Sequence, residues 1–241
     1  MNGNFFFAVC PYAALALFLV GIAVRYVLAR RRPDLRRAQM REAESVFRGR
    51  IFWLSLAGLM IVHGAGLVLP RAVLSWNLSP ARLYLSEGLA LALGLAALAT
   101  GSHIVWKHVE RPGRSVFDEV CDTVFLALVF VMIVSGLLVA VKYRWGSSWG
   151  VMTLTPYVRS LLLGAPAVNF ITEMPFFVQL HVLSTFAAVA VIPLTRLSAL
   201  LIIVVEICVD LAARPFSAAQ YRTETWIQKH NPGAWFWPDE D

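Results

Sequence analysis

Five long apolar stretches alternate with polar segments along this chain, over residues 5–26, 51–69, 83–105, 120–141 and 176–204. Each has about the 20 residues a helix needs to cross a bilayer. The pattern predicts an all-α polytopic membrane protein with five transmembrane helices. Aromatic residues stand near several of the ends, at Tyr26, Trp53, Tyr84, Trp106 and Tyr143, as in an interfacial belt. The first stretch lacks a basic lead and an A-x-A-like cleavage site, so it reads as a retained span rather than a signal peptide.

Two segments fall outside the spans. Residues 142–174 are too broken by Gly and Pro to cross. Within them Val151–Leu163 reads as a short amphipathic helix in the outer interface, placed to cap a site there. From residue 206 to Asp241 the chain is polar and carries Trp226, Trp235, Phe236 and Trp237. That tail is either a frayed terminus or an arm docked on a soluble partner. The division expected is a five-helix domain over 1–205 and a cytoplasmic, partner-docking tail over 206–241.

Composition agrees with the pattern. The 241 residues are 59% hydrophobic with a mean hydropathy of +0.67, which excludes an ordinary soluble core. The formal net charge is +6, and eight arginines lie between Arg30 and Arg50. Between two spans such a run reads as a cytoplasmic loop rather than a nucleic-acid patch. Loop charge then places the N-terminus outside and the C-terminus inside. Cys10, Cys121 and Cys208 are isolated, and no C-x-x-C-H motif is present, which argues against covalent haem and iron–sulfur clusters.

Two histidines lie inside spans: His63 in the second and His181 in the fifth. A ring nitrogen in hydrocarbon is costly unless it is hydrogen-bonded or holds a metal. His63 precedes Pro70 by seven residues, about 10 Å along a helix, and His181 lies about 9 Å past Pro175. Equal depth on separate helices points to the two axial ligands of one haem. The plainer alternative is that each ring bonds a neighbour on its own helix. Gly64 and Gly66 beside His63 would let a flat macrocycle approach the backbone. His103 and His108 sit at the other end of span three and compete as ligands. Arg196 either pairs with a haem propionate or snorkels to the inner interface. Arg82, Tyr84 and Glu87 form a polar group at the outer start of span three. There Glu87 either accepts a proton from a quinol or pairs with Arg82.

These residues bring a family into view. Pro11-Tyr12, Phe18-Leu19, Gly21 and Arg25-Tyr26 in span one resemble the cytochrome b membrane subunit (gamma subunit) of respiratory nitrate reductase. So do Val62-His63, Gly66 and Pro70 in span two. Leu180-His181, Pro193, Arg196-Leu197 and Val205-Glu206 continue the likeness to the start of the tail. The superfamily also holds membrane cytochromes b of sulfite-reductase-linked, heterodisulfide-reductase-like and hydrogenase complexes.

The resemblance implies five helices in a bacterial or archaeal cytoplasmic membrane. It implies two haems b, a quinol or quinone as substrate, and iron–sulfur and catalytic partner subunits. His63 and His181 match the outer haem's ligands. The inner haem's ligand positions, ten residues before His63 and eighteen after His181, hold Trp53 and Ala199, which cannot serve. One haem b is therefore expected, with the inner one absent. An inward electron route then needs a relay from a partner, an electron partner on the outer face, or a replacement ligand such as His103. The expected role is an electron-transferring membrane anchor of a respiratory oxidoreductase, with terminal catalysis in its partners. A haem-binding structural anchor without quinone turnover is the alternative, and so is a cytochrome b of a hydrogenase or sulfur-metabolism complex. A transporter finds no support in an inverted repeat or a broken span.

Overall fold

The computed structural model describes residues 3–31, 40, 41, 49–110 and 116–230. Most of the arginine run and the aromatic residues Trp235, Phe236 and Trp237 lie outside them. Among the described residues there is no strand. The helices are α1 (Gly3–Arg31), α2 (Arg50–Val68), α3 (Pro70–Trp76), α4 (Pro80–Glu110) and α5 (Val116–Lys142), followed by α6 (Gly146–Leu162), α7 (Asn169–Thr172), α8 (Phe176–Val191) and α9 (Ser198–His230). Five of them are long and apolar enough to cross a membrane: α1, α2, α4, α5 and α8, the last with the turn that follows it. The chain divides into two compact units, Met1–Ala199 and Leu200–Asp241.

In the first unit α2 packs on α4, α4 on α5, α5 on α8, and α8 on α1. Small residues set these approaches. A Cβ on Gly94 would stand 2.8 Å from Leu137 Cδ2, and one on Gly101 would stand 3.0 Å from Phe52 Cε2. Close backbone approach of this kind is how helices gain packing energy when lipid offers no hydrophobic drive. Phe52 is buried against Gly101 among Ala97, Leu126, Val129 and Ile133. The residual cavity there is about 10 Å³, no more than one water would fill.

Pro70 ends α2 and also opens α3, a short helix absent from the sequence reading. Proline disfavours helix in the residue before it but suits the first helical position. The amphipathic helix is longer than its expected range, running Gly146–Leu162. It is fixed at both ends by polar bonds. Trp145 precedes it at φ 69°, a left-handed conformation that side chains other than Gly rarely adopt. The Glu87 carboxylate then accepts the Ser147 backbone N–H at 2.7 Å, satisfying one of the helix's unpaired donors. Asn77 Nδ2 donates to the Ser147 and Ser148 hydroxyls, each at 3.1 Å. At the far end Tyr12 donates to Leu161 O at 2.8 Å.

The middle of α6 repairs a fault in α1. Pro11 lacks the N–H that would bond Phe7 O four residues back. The Tyr157 hydroxyl donates to that carbonyl instead, at 2.7 Å. Tyr157 is wholly buried with Phe7, Leu161, Ile171 and Val178. Burial pushes its phenol up to about 12, with smaller contributions from Cys10 and Tyr12.

Span five departs most from expectation. The sequence reading ran it unbroken to residue 204. In the structure α8 stops at Val191, a 3-10 turn covers Ile192–Leu194, Thr195 is extended, and α9 begins at Ser198. Pro193 is the local cause, since it removes a helix donor. Neighbouring helices supply what the break needs. Arg25 donates from Nε to Pro193 O at 3.0 Å and from Nη2 to Leu194 O at 3.2 Å. The same guanidinium lies 3.8 Å from Asp118. Asp122 accepts the Arg196 backbone N–H at 3.0 Å and its Nε at 2.5 Å. Gly21, one turn before Arg25 on α1, makes the room: a Cβ there would collide with Pro193 Cβ. In the second unit α9 carries Trp226 stacked on His230 at 4.7 Å. The tail, read as either a frayed terminus or a docked arm, is helical as far as His230.

Candidate functional site

The two intramembrane histidines meet. His63 on α2 and His181 on α8 face each other with ring centres 6.2 Å apart and planes tilted by 32°. Their helices do not pack closely on each other. Each ring is anchored through Nδ1. His63 Nδ1 lies 2.7 Å from Leu59 O, one turn back on its own helix. His181 Nδ1 lies 2.8 Å from Met132 O on α5. A carbonyl accepts and never donates, so both Nδ1 atoms carry the proton. Both Nε2 atoms then keep a lone pair, the tautomer of a metal-ligating histidine whose other nitrogen bonds a backbone carbonyl.

The spacing fits a haem iron. Two axial imidazoles at about 2 Å per metal–nitrogen bond place their ring centres about 6 Å apart. Gly64, beside His63, has nothing within 4 Å of where a Cβ would stand, so α2 offers bare backbone at that level. Among the described residues no group of three or more metal-ligating side chains occurs.

The other expected residues are placed as follows. Gly66 is taken by α6: a Cβ there would meet Val151 Cγ2 at 3.1 Å, and its carbonyl accepts from Thr155 at 3.0 Å. Arg196 neither snorkels nor reaches the histidines. It is 4% exposed and bound to Asp122, itself 0% exposed. Arg82 and Glu87 lie five residues apart on α4 and, among the described residues, form no ion pair. Arg82 lies over the Trp76 ring at 5.1 Å, and Glu87 caps α6. Tyr84 packs edge-on against Trp145 at 5.2 Å. His103 is exposed, whereas His108 is buried with Nε2 3.0 Å from Thr123 Oγ1. Trp53 packs on Phe52 at 5.2 Å, and Ala199 is buried beyond the break in span five.

Sequence reasoning missed the α5 contribution. Besides the Met132 carbonyl, Ser135 Oγ lies 3.5 Å from His181 Nδ1. Gly136 lies flush against the ring, since a Cβ there would stand 2.9 Å from His181 Cε1. The Ser135-Gly136 pair, set in VFVMIVSGLLVAV, was the available signal, because two small residues in such a run mark a close approach.

The sequence model of the nitrate reductase gamma subunit matches residues 3–222. Among curated proteins the chain is similar to the nitrate reductase-like protein NarX of Mycobacterium tuberculosis, from strains CDC 1551 / Oshkosh and ATCC 25618 / H37Rv. Each is 26% identical over 214 residues, covering 82% of this chain and 31% of the relative. The chain thus spans about a third of the length of the curated relatives it matches.

Proposed function

We propose that this chain, which belongs to the nitrate reductase gamma subunit family, is the haem b membrane anchor of a multisubunit respiratory oxidoreductase. The observation that carries the reading is the His63–His181 pair, 6.2 Å between ring centres with both Nδ1 atoms held by backbone carbonyls. His63 and His181 would be the axial ligands, with Gly64 beneath the macrocycle. Haem b supplies one-electron redox chemistry when bound. Met132 O and Ser135 hold the His181 ring in its ligating tautomer.

The haem count proposed is one. Trp53 and Ala199 stand where the resemblance implies the second ligand pair. The substrate proposed is a quinol or quinone at the polar group of Arg82, Tyr84 and Glu87, at the α6 end of the bundle. That end would face outward. Residues 206–241 would form the arm that docks iron–sulfur and catalytic partner subunits in the cytoplasm of a bacterium or archaeon. A structural anchor without quinone turnover is the second reading. It is favoured by Glu87, whose carboxylate is already engaged in capping α6.

The test is the haem-to-chain ratio of the purified complex, its subunits identified by mass spectrometry. One haem per chain is expected, lost in both His63→Ala and His181→Ala. Two haems per chain, or a spectrum unchanged in both variants, would overturn the reading. A quinone-site inhibitor that shifts the haem spectrum distinguishes turnover from anchoring.

A further inference from the structure

Arg71 at the start of α3 and Arg159 on α6 line a cavity of about 440 Å³ with Val68, Leu69, Pro70 and Ala72. Both arginines are exposed on the isolated chain, and among the described residues neither is in an ion pair. Arg159 is located by its Nη2, 3.4 Å from Leu67 O. Leu67 lies one turn beyond His63 on the same face of α2, about 6 Å along the axis. The Arg159 guanidinium therefore stands one to two turns beyond His63, toward the α6 end, and Arg71, eight residues past His63, lines the same cavity. Arg196 is tied to Asp122 and leaves the propionate role open.

We propose that Arg159 and Arg71 clamp the propionate carboxylates of the haem held by His63 and His181. The inference rests on the haem reading above. Two guanidinium forks, neither in an ion pair among the described residues, match two carboxylates in charge and in planar, bidentate geometry. A macrocycle between the imidazoles must send its propionate arms off one edge. Toward α6 they reach cations. Toward Phe52, Leu126 and Val129 they would meet packed hydrocarbon, where an unpaired carboxylate is costly. The clamp would thus choose which edge of the macrocycle faces α6, and hold α6 against α2.

The test crosses protein with pigment. Full-length chain made under haem limitation is titrated with haem b and with haem b dimethyl ester, whose propionates carry no charge. Wild type, Arg159→Leu and Arg71→Leu are compared. Haem b should bind each variant about tenfold more weakly than wild type, as expected for a lost charge-assisted contact. The ester should bind all three alike, which also reports that the variants fold. The reduction potential of bound haem b should fall in the variants, since a nearby cation favours the reduced form.

Equal losses for both pigments would assign the arginines a structural role and overturn the clamp. So would unchanged haem b binding, including the case where the variants lose only co-purified anionic phospholipid and the cavity is a lipid-phosphate site. Failure of wild type to bind either pigment would sink the haem reading itself, and the clamp with it.

Discussion

His181 is held by its neighbour α5 as much as by its own helix, and this makes Gly136 its most sensitive contact. A methyl group there would stand 2.9 Å from Cε1, closer than packed atoms tolerate. Gly136→Ala should therefore tilt the ring off Met132 O and lower haem occupancy, read as Soret absorbance per chain. The fold should survive, read by thermal unfolding in detergent. Tyr157 offers a second single-residue test. With Pro11 unable to serve Phe7 O, Tyr157→Phe leaves that buried carbonyl unpaired, at about 1–3 kcal/mol. Pro11→Ala returns the missing N–H, so Tyr157→Phe should cost less in that background. The pH dependence has a definite sign. The folded state keeps the Tyr157 proton up to about 12, while an unfolded tyrosine loses it near 10. Stability from this group is full below about pH 10 and falls between about 10 and about 12. Unfolding curves of Tyr157→Phe should lack that alkaline loss.

Among the elements, α6 and the break in span five show what hydropathy reveals and what it hides. Spans one to four were legible to within a few residues, because lipid demands helices of fixed apolar length. The break was hidden by its own hydrophobicity: the run AAVAVIPLTRLSALLIIVV reads as membrane throughout. Pro193 and Arg196 were visible in it, but their partners Arg25 and Asp122 lie far off in sequence and only folding brings them together. Arg196 was read as pairing with a haem propionate or snorkelling for the same reason. The equal depth of His63 and His181 was legible because each lies a countable distance from a proline. Their anchoring by Leu59 O and Met132 O was not, since a carbonyl leaves no trace in composition. The buried Asp122–Arg196 pair is open to a direct test. Asp122→Ala removes a buried carboxylate from this pair and should destabilise the bundle by about 3–5 kcal/mol. Asp122→Leu combined with Arg196→Met should recover much of that loss, both read by thermal unfolding in detergent.

For the molecule as a whole, polar chemistry is concentrated toward the two ends of the first unit and hydrocarbon fills the stretch between. The histidine pair, Glu87, Arg71 and Arg159 belong to the α6 side; Arg25, Asp118, Asp122 and Arg196 belong to the other. Between them Phe52 is packed on Gly101 with almost no free volume. In electrical terms this middle is the dielectric of a capacitor, and the histidine pair sits near one plate. At about 10 Å into a hydrocarbon layer of about 30 Å, a charge there feels about a third of any voltage across the membrane. An electron exchanged from the α6 side should therefore do little electrical work. In vesicles under an imposed potential, the apparent midpoint of the centre should shift by about a third of the applied voltage. A shift close to the whole voltage would place the centre at the opposite plate.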